Sequence, residues 1–243
     1  MSSTSETGHA KNIANFQNLI QFAVGYGAVY NPSKNTLKIP QLNTIATTSN
    51  AKLADVITKN TAFNNAVNDR LNSFKGLMTL STRLVNALEI TSASKEKIKD
   101  AKGFQRKMKG RRASEVQTST DPNAPAPNTI STSQVSYDNL IQHFAGLVAV
   151  LQSEASFTPN ETDLKLTALT AKQADLVAKN NAVAVAHTAI SNSRIARNKT
   201  LYDEGTGLVD TALEVKKYVK SLFGPSSPEF GQVKSIAFKN IPK

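Results

Sequence analysis

The most constraining feature of the sequence is an apolar pattern between Leu37 and Phe74 that has the period of an α-helix. Apolar side chains recur there at spacings of three, four or seven residues, which places them on one helix face. They are Leu42, Ala46, Leu53, Val56, Phe63, Val67 and Phe74. About 33 residues at 1.5 Å per residue give a helix of roughly 50 Å. Such a helix needs other helices beside it, so the pattern predicts an elongated helical bundle.

The chain contains this pattern twice. Tyr30-Asn31-Pro32 and Leu37-Lys38-Ile39 return 127 positions later as Phe157-Thr158-Pro159 and Leu164-Lys165-Leu166. A second long helix is predicted from about Thr162 to Leu201. Two matching halves indicate a tandem duplication. The predicted fold is therefore all-α, an elongated antiparallel helical bundle built from two pseudo-symmetric tandem repeats.

The register between the two long helices stays open. Ala54-Asp55-Val56 also matches Ala174-Asp175-Leu176, at a shift of 120 positions instead of 127. The two shifts differ by one heptad, and a heptad pattern resembles itself when it is slipped by seven residues. The sequence therefore predicts two long helices without fixing which of their residues face each other.

Residues 113–133 separate the two copies. They contain no Lys or Arg and hold several Pro residues among Ser and Thr, a composition typical of a linker. We therefore expect helical repeat 1 at residues 1–112, including a basic helix at 95–112, and helical repeat 2 at residues 134–243. Because each half alone leaves a long helix without neighbours, we expect the two repeats to pack as one domain.

Composition narrows the class of protein further. Of the 243 residues, 40% are hydrophobic, which is enough for a core, and none is Cys, which excludes disulfides and thiolate metal sites. The first residues lack the basic and apolar regions of a signal peptide. The longest apolar run, Phe144 to Leu151, is far shorter than the roughly 20 residues of a membrane span. These features predict a cytoplasmic protein with no membrane span.

Three parts of the sequence carry a resemblance to known proteins. They are Glu6–Phe16, Tyr26–Ser33, and Tyr202–Asp210 running into Tyr218–Gly224. Together they resemble a family of uncharacterised helical proteins from Bacteroidota bacteria, and the resemblance spans nearly the whole chain. It implies a bacterial source. It implies no ligand, activity or active site, because none is established for that family.

The sequence offers no pattern for catalysis or cofactor binding. His9, His143 and His187 each lack a second His or a carboxylate three or four positions on, as a helical metal site requires. Phosphate-binding glycine loops and a Gly-x-Ser-x-Gly elbow are absent from the sequence. We interpret His143 and His187 as polar layers that fix helix register. The prediction is a non-enzymatic protein with no catalytic residues, cofactor, metal ligand or small-molecule substrate.

The basic helix at residues 95–112 departs from the rest of the chain. It holds nine basic and two acidic residues, a net charge of +7 out of the chain's +11. Ile98, Ala101, Phe104 and Met108 form its apolar side. The candidate residues for binding an anion or nucleic acid are Lys95, Lys99, Lys102, Arg106, Lys109, Arg111 and Arg112. The pattern fits an amphipathic helix that binds the phosphates of nucleic acid or of an anionic membrane surface, or the solvated face of a packed helix. The lack of interleaved aromatic residues for base stacking favours the solvated face.

Together these features predict a structural or assembly protein, a helical scaffold that self-associates or binds a protein partner. The alternative is a sequence-independent nucleic-acid-binding protein that uses the basic helix. An enzyme with dispersed carboxylates is a third class, which no spacing in the sequence supports.

Overall fold

The computed structural model describes residues 4–111 and 135–241, with side chains from Gly8 onward, and those residues form an all-helical structure. The predicted linker, residues 113–133, and Arg112 lie outside the described residues. The described ranges contain no strand. The α-helices are α1 Thr4–Gly25, α2 Ile39–Phe74, α3 Leu77–Glu89, α4 Lys95–Met108, α5 Tyr137–Gln152, α6 Leu166–Tyr202, α7 Leu208–Phe223 and α8 Pro228–Lys234. Short 3-10 turns lie at Gly27–Val29, Asn35–Leu37 and Thr162–Leu164. The all-α prediction is confirmed.

Both predicted long helices are present. Helix α2 has 36 residues and α6 has 37. The predicted start of α6 at Thr162 is wrong by four residues. Thr162–Leu164 instead forms a 3-10 turn, and Lys165 after it is extended, with ψ 143°. This turn buries Leu164 against the core, and α6 begins only at Leu166.

The described residues form two compact units, and each unit draws on both halves of the sequence. The terminal unit comprises Met1–Asn64 and Ala186–Lys243, and the central unit comprises Asn65–Val185. Helices α2 and α6 contribute residues to both units. The compact units therefore cut across the predicted repeats, which follow chain order.

The terminal unit is built around α1 and α7, whose apolar faces pack together with the first part of α2. Helix α1 buries its side chains at the helical spacing expected of an amphipathic segment. The core residues of this unit include Ile13, Phe16, Leu19, Ile20, Ala23, Leu42, Leu201, Leu208, Ala212, Val215 and Val219. Helix α8 closes one side of this core by burying Val233 completely.

The central unit is built around α3, α4 and α5. Its core residues include Leu77, Leu84, Leu88, Ala101, Met108, Phe144, Leu147, Leu151, Leu169 and Leu176. In this unit the end of α2 runs antiparallel to the start of α6. Lys179 Nζ lies 3.0 Å from Asp69 Oδ2, and Ser73 Oγ donates to Asp175 Oδ2 at 2.5 Å. These contacts define the register that the sequence leaves open.

Candidate functional site

Helix α4 carries the predicted basic segment, and its local sequence explains where it begins and how it packs. Ser94 caps the first turn by accepting a hydrogen bond from the Lys97 N–H at 3.3 Å. Glu96 lies in the first turn and Arg106 in the last, where each complements the helix dipole. The predicted apolar side packs inward, with Ala101 and Met108 fully buried and Ile98 and Phe104 half-buried.

A glycine on α5 makes room for this packing. A Cβ built on Gly146 would lie far inside van der Waals contact with the Phe104 ring. The absence of a side chain at Gly146 therefore lets the ring sit directly on the α5 backbone. This close approach fixes α4 against α5 and leaves the opposite side of α4 to solvent.

The predicted cations lie on the solvent side of α4. Lys95, Lys99, Lys102 and Arg111 are exposed. Arg106 and Lys109 are half-buried, because they flank the buried Met108 near the end of the helix. The structure thus brings together the six cations of the predicted binding set that lie within the described residues.

Acidic partners are few on this surface. Lys102 Nζ lies 2.5 Å from Glu89 Oε1, so its charge is locally neutralised. Among residues 8–111 and 135–241, the other five predicted cations form no ion pair. They are Lys95, Lys99, Arg106, Lys109 and Arg111. The nearby exposed acids on α4 itself are Glu96 and Asp100. A row of unpaired cations on one face of a helix can bind a polyanion such as a phosphate backbone.

Lys97, which sequence reasoning did not include, has a structural role. Its Nζ donates to the Ser153 carbonyl at 2.7 Å and to Glu154 Oε2 at 3.0 Å, which joins the start of α4 to the end of α5. Hydrogen bonds from Ser156 and then from Lys97 lower the pKa of Glu154 to about 2. Lys97 is therefore part of the packing that holds α4.

The three histidines lie apart from one another. His9 is buried, with Nδ1 2.6 Å from the Tyr202 hydroxyl. His143 is buried on α5, and its Nε2 has no hydrogen-bond partner among the described residues. Burial and the nearby Lys107 lower the pKa of His143, so the ring is neutral at pH 7.

The predicted polar layer at His187 is wrong. His187 is exposed and its ring packs on Phe63, with centroids 5.8 Å apart. The inward stripe of α6 passes through Val183, Ala186 and Ile190, one position away from His187. Periodicity alone does not fix which of two adjacent residues faces inward. A shift of the inward stripe by one residue moves the imidazole from the core to solvent.

Sequence reasoning missed a second polar cluster, on α1 of the terminal unit. Asn12 and Asn15 are buried beside the apolar Ile13 and Phe16. The Asn12 amide donates to the Lys239 carbonyl at 2.7 Å and accepts from the Lys239 N–H at 3.1 Å. Asn15 donates to the Ala237 carbonyl at 2.7 Å. Two Asn residues on an otherwise apolar helix face were the available signal, because buried amides require hydrogen-bond partners.

Two cavities among the described residues are lined by charged side chains. One in the central unit, of about 490 Å³, is lined by Lys75, Arg83, Asp163 and Lys172, and there Arg83 is paired with Asp163. A groove of about 450 Å³ in the terminal unit is lined by His187, Arg194 and Asp203 among others. The described part of the chain contains no group of three or more His, Asp or Glu side chains able to hold a metal ion. None of the described helices is both long and apolar enough to cross a membrane.

Comparison of the chain with protein-family models, with curated proteins and with solved structures finds no match.

Proposed function

We propose that the chain is a non-enzymatic assembly protein, a helical scaffold that self-associates or binds a protein partner. The observation that carries this proposal is the exposure of large apolar side chains on the two long helices. They are Ile57 (62% exposed), Leu71 (59%), Val185 (70%) and Ile195 (64%). These side chains lie outside the buried stripes of α2 and α6, so the described part of the chain does not cover them. They are the candidate docking residues of the proposal, because a protein-protein docking face requires exposed apolar side chains that form a contiguous patch.

A tandem duplication, which is part of the proposal, supports this role. The 3-10 turns ahead of the two long helices have matching backbones: φ/ψ at Lys34 is −69°/117°, and at Glu161 it is −64°/122°. Leu42 and Leu169, which are 127 positions apart, are both fully buried. A duplicated unit carries related docking faces twice, so one chain can bridge two partners.

An ion pair also lies at each of the two turns, and the two pairs have opposite polarity. Lys34 pairs with Glu214 on α7, with Nζ to Oε2 at 2.6 Å, while Asp163 pairs with Arg83 on α3. Arg83 lies on α3, which follows the long helix α2, and Glu214 lies on α7, which follows the long helix α6. Asp163 lies two positions after Glu161, the counterpart of Lys34, so the two ion pairs join the same kinds of element without being equivalent residue by residue. The cytoplasmic location and the kinship with the Bacteroidota helical proteins belong to the same proposal.

Charge substitutions test the assembly function. Ile57→Glu and Ile195→Glu place carboxylates on the long-helix surface of the terminal unit, and we expect the double variant to lose the oligomer in size-exclusion chromatography with light scattering. Ile90→Glu is the matched control, since Ile90 is 89% exposed in the turn after α3. Equal effects of the double variant and the control, with both folded by circular dichroism, would count against the proposal.

A second function is favoured by the unpaired cations of α4. We propose that this helix binds nucleic acid through phosphates, without preference for sequence. Phosphate contacts carry no base information, and no aromatic side chain is interleaved with the cations for stacking. Binding of duplex DNA measured against salt concentration tests it, because each phosphate contact contributes about −0.9 to the slope of log K against log salt. The absence of any binding at low salt would refute it.

A further inference from the structure

The segment after α8 packs on the terminal unit as an extended chain. Residues 236–241 form no helix or strand. Ile236 and Phe238 are half-buried against the core, while Ala237 and Lys239 between and after them are exposed. This alternation is the side-chain pattern of an extended peptide lying on an apolar surface.

The terminal unit holds this segment through its backbone. Asn12 pairs with both the N–H and the carbonyl of Lys239, and Asn15 donates to the Ala237 carbonyl. Lys216 on α7 donates to the carbonyls of Lys234 and Ile236, at 3.0 and 2.9 Å. Backbone pairing of this kind gives affinity for an extended chain, while the alternating side-chain pockets give selectivity.

The surface under the segment is built for an occupant. Asn12 and Asn15 are both buried, and their amides would lose these partners if the segment left. Gly8 leaves room for the end of the segment, because a Cβ there would lie 2.5 Å from Ile241 Cδ1. We define the peptide groove by these residues: Gly8, Asn12, Asn15 and Lys216.

We propose that the peptide groove also accepts residues 236–241 of a second copy of this chain, so that two copies exchange these segments. The proposal rests on the assembly function above and names the partner segment. The second copy is the occupant because the groove already fits this sequence, and the hydrogen bonds from Asn12, Asn15 and Lys216 to residues 236–239 are the same whichever copy supplies the segment. Exchange in both directions closes a two-fold dimer.

The chain has a place where exchange can begin. Helix α8 ends at Lys234 and keeps its own anchor, since Val233 is fully buried. Release of the segment therefore requires rotation only near Ser235, with α8 still packed on α7. The hydrogen bonds between the groove and residues 236–239 break in one copy and form again in the other, and the bond from the Ile236 N–H to the Val233 carbonyl, which spans the hinge, is the one that rotation at Ser235 breaks.

Disulfide trapping tests the proposal on the full chain, which contains no cysteine. One copy carries Gly8→Cys and a differently tagged copy carries Ile241→Cys, and the two are mixed and mildly oxidised. Exchange predicts a covalent heterodimer on a non-reducing gel, several-fold above the amount formed between Gly8→Cys and the exposed control Ile90→Cys. Equal amounts in both mixtures would overturn the exchange.

A peptide measurement replaces trapping if Gly8→Cys does not fold. A fluorescent peptide of residues 234–241 added to the wild-type chain should bind saturably, and the same peptide with Ser in place of Ile236 and Phe238 should not. No saturable binding of the first peptide overturns the proposal. If the wild-type chain is an oligomer but shows neither trapping nor peptide binding, segment exchange alone is wrong. If the wild-type chain is a monomer and shows neither, self-association is wrong as well.

Discussion

In each unit, one helix is followed by a segment that packs over the core, which we call the cover. The covers of the two units differ, and so do the side chains of the helices on which they pack, which we call their hosts. In the central unit, α3 is followed by α4, a helix of 14 residues that packs on α3 and α5. In the terminal unit, α7 is followed by α8, of only seven residues, and then by the extended residues 236–241. A helix satisfies its own backbone hydrogen bonds, so its host can be apolar. An extended segment cannot, so its host must supply polar side chains.

The helices beneath the two covers differ in the way that this difference in backbone bonding requires. Helix α5 meets α4 with Gly146, which admits the Phe104 ring. Helix α1 meets the extended segment with the buried amides of Asn12 and Asn15. The helical cover is held mainly by packing and, among the described residues, leaves Lys95, Lys99 and Arg106 without an ion pair. The extended cover is held by backbone hydrogen bonds that a second copy could also make.

The largest expected effect comes from filling the space at Gly146. Gly146→Leu forces atoms into the Phe104 ring, and overpacking of this kind costs about 3 kcal/mol of unfolding free energy. Urea denaturation measures it. Gly103→Ala on α4 is the matched control, because a Cβ there meets nothing within 4 Å and the change stabilises a helix by about 1 kcal/mol. Similar stability of the Gly146 variant and the wild type would show that the helical cover does not depend on this contact.

A smaller effect is expected from removing one amide of the peptide groove. Asn12→Ala leaves the backbone groups of Lys239 without this partner and costs about 2 kcal/mol. Hydrogen exchange should become faster in residues 236–241 and stay unchanged in α4. Asn18→Ala, at an exposed position on the same helix, should change neither. Unchanged exchange in the Asn12 variant would mean that packing alone holds the segment.

The stability of the central unit is expected to depend on pH through His143, which lies on α5 beneath the helical cover. Burial and Lys107 lower the pKa of His143, so the folded state binds its proton less readily than the unfolded state does. The neutral ring's contribution is therefore complete above the unfolded pKa of about 6.5 and is lost as pH falls below it. His143→Gln should flatten the fall in stability between neutral and mildly acidic pH, as followed by urea denaturation at each pH. An unchanged profile would mean that other groups cause the fall.

The smallest effect on stability is expected on the cations of α4. Replacing Lys95, Lys99 and Arg106 by Gln should change stability by less than about 0.5 kcal/mol, because the first two are exposed, the third is half-buried without an ion pair among the described residues, and Gln is a good helix former. If all three contact duplex phosphates, the slope of log K against log salt should lose about 2.7 units. Gln at the exposed Lys11, Lys38 and Lys217 of the terminal unit is the matched control. Equal loss in both variants would indicate attraction by net charge without a defined site.

Local periodicity predicts the helices of this fold but not its long-range polar contacts. The α4 cap at Ser94, its apolar side and its exposed cations follow from residues within one or two turns of each other. The groove joins Asn12 to Lys239, which are 227 residues apart, and no local pattern specifies that contact. The exposure of His187 depends on which of two neighbouring residues of α6, Ala186 or His187, faces inward, and the apolar pattern does not decide between them.

Self-association is the central claim, and sedimentation velocity of the wild-type chain over a range of concentrations tests it most directly. We expect a species of at least twice the 26.1 kDa chain mass, whose fraction rises with protein concentration. A single species at 26.1 kDa up to the solubility limit would contradict it.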